Sequence, residues 1–311
     1  MVNFSIIIPL YNKANHIENT LKSILNQTYS NYEIIVINDG SSDESESKVL
    51  KFKDSRIQLY NQKNLGAAMA RNLGIEKAKH DYIAFLDADD LWMENHLETL
   101  SNLINDFPNA GIYASRYELI FKEGKISIPK FNGISEDFYG IVLDYFDASL
   151  YYAVATSSSI AVPKYVFNKI GNFKTKISSG QDVDMWIRIA SKYPVAISAK
   201  ITASYLYFIE NSLSKTPILE KKIKDFVDYK LEEESNPSLK KYLDIYRMEY
   251  ALHYKIAGAN KKSEELYGDI LKKNISLKTK ILYHLPQPLL TLLLKFKRLL
   301  RKKGIDFSIY Q

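Results

Sequence analysis

The chain contains no cysteine among its 311 residues, so a disulfide framework, a thiol nucleophile and a thiolate metal site are all excluded. No stretch approaches the ~20 apolar residues that a membrane-spanning helix needs. The N-terminus, MVNFSIIIPLYNK, has neither a basic leader before its apolar run nor a small-residue cleavage site. We therefore expect this run to form a buried strand rather than a signal peptide. These absences suit a cytoplasmic protein.

Two nucleotide-binding signatures are also missing. The sequence has no phosphate-binding G-x-x-x-x-G-K-[ST] loop and no dinucleotide-binding G-x-G-x-x-G fingerprint, which argues against P-loop ATP hydrolysis and dinucleotide oxidoreduction. The five histidines are scattered, and none forms a metal-binding pair at helical spacing. With 46% hydrophobic and 25% charged residues, the composition is that of a globular chain with a sizeable core.

The formal net charge of +6 is concentrated near the C-terminus. Residues 284–311 carry six basic residues against one acid, Asp306, so the remainder is nearly neutral. Binding to a nucleic-acid backbone requires a broad basic surface. The sequence therefore predicts that nucleic acid is not a partner.

The basic segment has helical periodicity over residues 289–303. One predicted face is apolar (Leu289, Leu292, Leu293, Phe296, Leu299 and Leu300) and the other is mostly basic (Lys295, Lys297, Arg298, Arg301 and Lys302). This pattern is typical of a helix lying in an anionic membrane interface. It predicts peripheral contact with the inner face of the cell membrane, and the alternative is a helix packed on the protein or on a partner.

The first half of the chain alternates between apolar runs and helical patterns. The runs FSIIIPL, YEIIVIND, RIQLYN and YIAFLDADD are separated by segments such as HIENTLKSILNQ and AAMARNLGIEKA. Strands buried on both faces and joined by helices predict a parallel α/β sheet. Ligands of such sheets bind outside the carboxyl ends of the strands, where the polar clusters YNK, NDGSSD, QKNLGAAMARN and DADD fall. From about residue 218 the composition changes to a Lys-, Glu-, Leu- and Tyr-rich helical pattern.

The fourth run ends in three carboxylates, Asp87, Asp89 and Asp90. A single D-x-D segment can be a strand running into a loop whose carboxylates are solvated or cap the next helix. Oxygen ligands of this kind also suit Mg²⁺ or Mn²⁺, which bind through a few carboxylates plus substrate phosphates. The surrounding segments have to decide between these interpretations.

Taken in order, SIIIPLYNKANHIENTLKSILNQTYSNYEIIVINDGSSD, NLGAAMARNLGI and YIAFLDADD resemble glycosyltransferase family 2 enzymes of the GT-A fold, over roughly residues 3–215. The resemblance implies a Rossmann-like, mostly parallel sheet flanked by helices, with a C-terminal helical appendage. We predict a glycosyltransferase domain at 1–217, divided into a nucleotide-binding half (1–108) and an acceptor-side half (109–217), and a helical region at 218–311.

The resemblance implies an inverting transfer of a sugar from a nucleoside-diphosphate sugar, in the first place a UDP-sugar. The acceptor would be a hydroxyl of a glycan or lipid-linked molecule in bacterial-type surface polysaccharide assembly. The ion, Mn²⁺ or Mg²⁺, would neutralise the departing diphosphate. By the same resemblance Asp89 is the direct metal ligand, and Asp87 faces the ribose and supports the ion. Asp90 is expected to cap a helix starting near Leu91.

Donor-binding positions follow from the same motifs. Tyr11 can lie against the nucleobase, Asp39 can accept a hydrogen bond from the uracil imide, and Gly66 lets backbone approach the ligand. Arg71 can bind diphosphate or pair with a nearby aspartate. The full predicted donor-binding set is Pro9, Leu10, Tyr11, Asn12, Asp39, Asn64, Gly66, Arg71, Asp87 and Ala88.

The segment SGQDVDMWIR resembles the place where family members carry Glu-Asp ahead of a helix. The aspartate, Asp182, is the predicted catalytic base, and Gln181 replaces the preceding acid. The alternative is that Asp182 only caps the helix and that Asp184 or Asp137 acts instead. Residues 206–209 also lack the family's histidine, which leaves more of the metal shell to water and diphosphate.

Two rival functions share parts of this pattern. A phosphatase of the haloacid-dehalogenase type also places D-x-D after an apolar strand, but near the start of its chain. A non-catalytic relative would bind a sugar nucleotide or glycan without turnover. Measuring the release of nucleoside diphosphate with and without metal would distinguish a glycosyltransferase from both of these rivals.

Overall fold

The computed structural model describes residues 1–207, 209 and 216–302. The expectations that rest on Phe208, on the ENSLS segment and on Lys303 lie outside the described residues, as do those on the side chains of Arg298, Arg301 and Lys302.

The predicted apolar runs form the first four strands. The strands are β1 Phe4–Leu10, β2 Tyr32–Asn38, β3 Ile57–Asn61, β4 Tyr82–Phe85, β5 Leu91–Trp92, β6 Ile112–Ile120, β7 Ile126–Ser127, β8 Gly140–Val142, β9 Ile160–Pro163 and β10 Val195–Leu206. Every residue of β2 is buried, and β1 is buried except for Pro9. Such continuous apolar runs are expected in a sheet covered on both faces.

The strands form one mixed sheet in the order β3-β2-β1-β4-β9-β6-β10-β5, with β7 on β6 and β8 on β10. Strands β1 to β4 are parallel to one another, so their carboxyl ends share one edge. Strand β9 runs antiparallel to both β4 and β6, whereas β6 and β10 are parallel. The parallel half therefore carries the predicted donor edge.

The helices are α1 Ile17–Leu25, α2 Ser45–Leu50, α3 Ala67–Lys77, α4 His96–Asp106, α5 Tyr145–Ala148, α6 Lys164–Ile170, α7 Gln181–Ala190, α8 Lys230–Ser235, α9 Pro237–Ile256, α10 Asn260–Gly268, α11 Leu277–His284 and α12 Gln287–Lys302. Gly74 brings α3 close to β1, because a Cβ at this position would lie 2.4 Å from Cγ2 of Ile7. Tight packing of this kind fixes α3 against β1.

The C-terminal region is helical, as predicted, and its first helices share the main core. The ring of Tyr242 in α9 packs 5.7 Å from that of Phe146, and Phe226, Tyr229 and Leu239 belong to the same buried cluster as the sheet. Ser238 Oγ also donates to an oxygen of Asp144 at 2.6 Å. The boundary at residue 217 remains a prediction, but the two segments are packed together.

Helix α12 contacts α9 through Leu290 and Gln287, and it leaves most of its predicted apolar face exposed. Leu290 is buried in a small cluster with α9 residues, whereas Leu292 is 63% and Phe296 is 56% exposed. Leu289, Leu293 and Leu299 are also exposed. Within the described residues, no helix is both long and apolar enough to cross a membrane.

Candidate active site

Asp39, at the end of β2, organises the loop between β3 and α3. Its Oδ1 accepts hydrogen bonds from the Gln62 side chain at 2.6 Å and the Leu65 backbone N at 2.8 Å. Its Oδ2 accepts from the Gly66 backbone N at 2.9 Å. Asp39 is only 3% exposed, so this carboxylate joins the ends of two neighbouring strands at the predicted nucleobase position.

The loop after β1 is tied to the loop after β2 through Asn12. This is the only described non-glycine residue with a positive φ, at 50°, a conformation that asparagine tolerates better than most residues. Asn12 Oδ1 accepts from the Ser42 backbone N at 2.8 Å, and its own backbone N donates to Ser41 Oγ at 3.1 Å. The neighbouring Tyr11 side chain is left 45% exposed, as a surface for a planar ligand requires.

Other predicted donor residues lie below or beside these loops. Leu10 is buried, and its carbonyl accepts from the Asp39 backbone N at 2.8 Å. Ala88 is also buried, with its carbonyl bonded to Thr20 Oγ1 at 3.0 Å. Asn64 is exposed in the β3–α3 loop. Gly66 precedes α3 with a φ of 91°, a backbone conformation that favours glycine. A Cβ at this position would meet no protein atom within 4 Å, so the backbone angle, not crowding, explains the glycine.

Arg71 in α3 pairs with the first aspartate of the D-x-D segment. Its Nη2 lies 2.6 Å from Asp87 Oδ1, and the guanidinium sits over the Phe173 ring at 5.7 Å. Arg71 is 3% exposed, yet its Nε and Nη1 have no hydrogen-bond partner among the described residues. Both nitrogens are shielded from solvent, and unsatisfied buried donors are costly.

The second aspartate, Asp89, pairs with Lys13. The Lys13 Nζ lies 2.6 Å from Asp89 Oδ2, and the two side chains are 16% and 17% exposed. Lys13 has no role among the sequence-based predictions, although it lies inside the PLYNK motif. Nothing in the sequence showed that this lysine would face a carboxylate from another loop.

The third aspartate, Asp90, is not a helix cap. The chain continues into β5, and the next helix begins at His96. Asp90 is 1% exposed and accepts from Ser158 Oγ at 2.5 Å and from the Leu206 backbone N at 3.1 Å. Burial raises the pKa of Asp90 well above its usual value, and Asp89 and Asp87 raise it further. The helix-cap prediction was wrong, because the chain enters β5 here and the Asp90 side chain is bonded by β10 and by the turn that precedes β9.

The donor set suits a hard divalent ion held mainly by its substrate. Asp87 and Asp89 offer carboxylate oxygens at the carboxyl end of β4, whereas Asp90 is committed to Ser158 and Leu206. Across the described residues, no group of three or more acidic or histidine side chains could hold a metal ion. Mg²⁺ commonly binds through one or two carboxylates plus phosphates and water, and these two carboxylates fit that arrangement.

Asp182 lies in the first turn of α7, after Gly180 at the N-cap. It makes no hydrogen bond or ion pair with another described residue, so the helix-cap alternative is not supported. Its charge acts on the buried hydroxyls of Tyr145 and Tyr242 and helps to raise their pKa. Asp182 therefore faces α5 and α9, and no contact among the described residues joins it directly to Asp87 or Asp89.

The two alternative bases, Asp184 and Asp137, differ from Asp182 in their contacts and burial. Asp184 is fully buried and accepts from Tyr229 Oη, Arg188 Nε and Lys174 Nζ. Burial alone would raise the pKa of Asp184, but these partners outweigh burial and hold it below its usual value. Asp137 is exposed. Asp184 thus fastens α7 to the C-terminal region.

Lys224 is a second residue that the sequence-based predictions missed. It is 1% exposed, its Nζ has no hydrogen-bond partner among the described residues, and it lies 3.9 Å from the Tyr246 ring centroid. Burial lowers its pKa to about 8, partly offset by the charges of Glu249 and Asp182. Lys224 is one of several lysines in this part of the chain, so the sequence gave no sign that it would be buried.

A cavity of about 940 Å³ lies in the C-terminal region, between residues 223 and 274. Three of its charged lining residues form ion pairs within the protein, since Arg247 and Lys240 both pair with Glu233 and with Asp244. None of the predicted donor-binding residues lines it. The predicted donor-binding residues lie at the sheet edge and not in this cavity.

The fold has known counterparts. The crystal structure of S. aureus TarS 1–349 in complex with UDP-GlcNAc aligns with a TM-score of 0.69 and 15% identity, covering 99% of this chain and 93% of that one. The likeness, together with the mixed sheet flanked by helices, shows the GT-A fold and confirms the predicted fold class.

Sequence comparison gives the family. The family described as "Glycosyl transferase family 2" matches residues 5–159. An Escherichia coli protein named UDP-Glc:alpha-D-GlcNAc-diphosphoundecaprenol beta-1,3-glucosyltransferase WfaP is 31% identical over 219 residues, covering 70% of this chain and 81% of its own length. This chain belongs to glycosyl transferase family 2.

A Rickettsia bellii protein named as an uncharacterised glycosyltransferase is 38% identical over 195 residues, covering 60% of this chain. The chain spans only 26% of that relative's length, and 26–64% of the length of the five Rickettsia relatives it matches. The region that this chain shares with each of these five proteins is therefore only a part of that protein.

Proposed function

We propose that this protein is an inverting glycosyltransferase that transfers a sugar from a UDP-sugar to a hydroxyl of a lipid-linked glycan acceptor. The observation that carries the proposal is the pairing of Arg71 with Asp87 and of Lys13 with Asp89 at the carboxyl end of β4. Two carboxylates and two cations at one sheet edge, close to the Asp39 loop, offer what binding of a nucleoside diphosphate and its counter-ion requires.

The donor would lie across the parallel half of the sheet. The exposed Tyr11 ring offers a surface for the nucleobase, and Asp39 holds the loop that the base would contact. Arg71, which is paired with Asp87, would place its positive charge beside the diphosphate. Pro9, Leu10, Asn12, Asn64, Gly66 and Ala88 would shape this surface through their backbone and their packing.

Asp89 would be the direct ligand of Mn²⁺ or Mg²⁺, and Asp87 would support it. A bound divalent ion would neutralise charge on the departing diphosphate. Asp182 would take the proton of the acceptor hydroxyl as that oxygen attacks the anomeric carbon. The bond to the diphosphate oxygen breaks and its electron pair leaves with UDP, so an α-linked donor gives a β-glycoside in one displacement.

The name of the E. coli relative describes glucosyl transfer from UDP-Glc to a diphosphoundecaprenol-linked sugar in β-1,3 linkage. A similar acceptor would place this protein at the inner face of the cell membrane. The exposed apolar residues of α12, with Lys295 on the same helix, support a peripheral membrane contact.

The test is release of UDP from UDP-glucose, measured with and without a lipid-linked acceptor and with Mn²⁺ or chelator. A transferase releases UDP faster with acceptor and metal, and Asp89→Ala abolishes this release while the protein stays folded. Full activity in chelator would contradict the metal role. Tight UDP binding without turnover on any donor would indicate the non-catalytic alternative, and release of inorganic phosphate from phosphomonoesters would indicate a phosphatase.

A further inference from the structure

The Lys13 ammonium sits where a cation would contact Asp89. Its Nζ is 2.6 Å from Asp89 Oδ2, and neither side chain is more than 17% exposed. The Lys13 backbone is fixed, since its N donates to Ser45 Oγ at 2.8 Å and its carbonyl accepts from the backbone N of His16 and of Ile17. Only the flexible side chain is free to leave the carboxylate.

The pair balances a crowded group of charges. Asp87 and Asp89 are two positions apart, and each has its own cation, Arg71 at 2.6 Å and Lys13 at 2.6 Å. Arg71 is held in a buried position by α3 and the Phe173 ring, whereas Lys13 reaches Asp89 from a loop. A divalent ion that takes Asp89 as a ligand has to compete with the lysine for the same oxygen.

We propose that Lys13 is a built-in counter-ion, which occupies Asp89 in the donor-free protein and is displaced when the divalent ion binds with the nucleotide. This inference rests on the proposed metal-dependent function. Displacement leaves an unpaired ammonium beside the ion, which disfavours binding of the metal alone. The donor diphosphate brings negative charge that compensates both cations, so metal and nucleotide bind cooperatively.

The experiment measures Mn²⁺ binding by titration calorimetry, or by the free-Mn²⁺ paramagnetic resonance signal, with and without UDP. Lys13→Met keeps the length of the side chain and removes its charge. We expect it to bind Mn²⁺ without UDP about tenfold more tightly than the wild type, because the ion no longer has to displace an ammonium from Asp89. A tenfold change corresponds to about 1.4 kcal/mol. The increase in Mn²⁺ affinity on adding UDP should shrink correspondingly.

Lys48→Met is the matched control, because Lys48 pairs with Glu18 at 3.4 Å and touches neither aspartate. It should leave Mn²⁺ affinity unchanged. Lys13→Gln provides a second uncharged variant if Lys13→Met folds poorly, and the melting temperature reports folding of each variant.

Equal or weaker Mn²⁺ binding by both uncharged Lys13 variants without UDP would overturn the counter-ion role while leaving the metal site intact. Failure of the wild type to bind Mn²⁺ even with UDP, or binding that survives Asp89→Ala, would overturn the metal site and the counter-ion role together. Tighter Mn²⁺ binding by the Lys13 variants, with unchanged binding by Lys48→Met, supports the proposal.

Discussion

Arg71 reaches from α3 to the end of β4, where its Nη2 lies 2.6 Å from Asp87 Oδ1. Both ends of this ion pair are on elements that pack against β1, so its geometry is set by the core of the sheet. The guanidinium is buried and two of its nitrogens have no partner among the described residues. The contact therefore holds the guanidinium next to the D-x-D segment, just beyond the carboxyl end of β4.

Arg71→Lys should keep the charge that compensates Asp87 but lose the donors that remain free. We expect UDP to bind about tenfold more weakly, because an ammonium cannot reproduce the planar fork of a guanidinium. Calorimetric titration of UDP measures this, and the melting temperature serves as the control for folding. Unchanged UDP affinity in a folded Arg71→Lys protein would show that the free nitrogens do not contact the ligand.

Asp182→Asn should bind UDP-sugar and metal normally while transfer falls by ~10²–10⁴-fold, the usual range for loss of a general base. A purely structural role would give a small effect, because asparagine is nearly isosteric with aspartate. Steady-state transfer rates and donor affinity are the measurements.

Asp184→Asn is the matched comparison, because it changes the neighbouring buried acid. It should act mainly on stability, since it leaves Lys174 and Arg188 beside a neutral group and disrupts a buried charge network. A lower melting temperature with little change in the rate per folded molecule is expected. Near-normal transfer by Asp182→Asn would remove Asp182 as the base.

Removal of the apolar face of α12 should release the protein from anionic membranes. Truncation near Pro286 also deletes Leu290, which packs in a buried cluster, so a triple change of Leu292, Phe296 and Leu299 to Gln is the cleaner variant. It should lose co-sedimentation with vesicles that contain anionic lipids, yet retain hydrolysis of a soluble donor. Equal sedimentation of the variant and the wild type would argue that α12 does not contact the membrane.

The buried His96 side chain should make the folded protein less stable in acid. The ring is fully buried, and burial lowers its pKa to about 3. The unfolded chain takes up a proton near pH 6.5 while the folded protein does not, so stability falls as pH decreases from about 6.5 toward 3. At pH 5 this group alone costs roughly 2 kcal/mol relative to pH 7.

His96→Gln should remove this contribution. The expected result is a smaller difference in the free energy of unfolding between pH 7 and pH 5 than in the wild type, measured by urea denaturation. The variant also disturbs the contact between Nδ1 and Thr202 Oγ1 at 2.7 Å, so the two pH values must be compared within each protein. An unchanged difference would show that His96 does not account for acid sensitivity.

The sequence by itself determined the four parallel strands, the polar motifs at their ends and the family. Runs such as FSIIIPL and YEIIVIN form β1 and β2, as expected for short, β-branched apolar runs in a sheet that is covered on both faces. The carboxylates that follow β4 and the loop after β2 were predictable because the ends of parallel strands share one edge. These properties depend on short stretches of the chain.

Tertiary structure decided which partner each side chain meets. Asp90 was expected to cap a helix, but it bonds Leu206, which is 116 positions away in sequence, because β10 lies over it. Lys13 meets Asp89, and Tyr229 bonds Asp184, only after distant segments pack together. Local patterns set the backbone conformation and which face is buried, whereas charge pairing and burial of a single polar group depend on the long-range packing that brings their partners into contact.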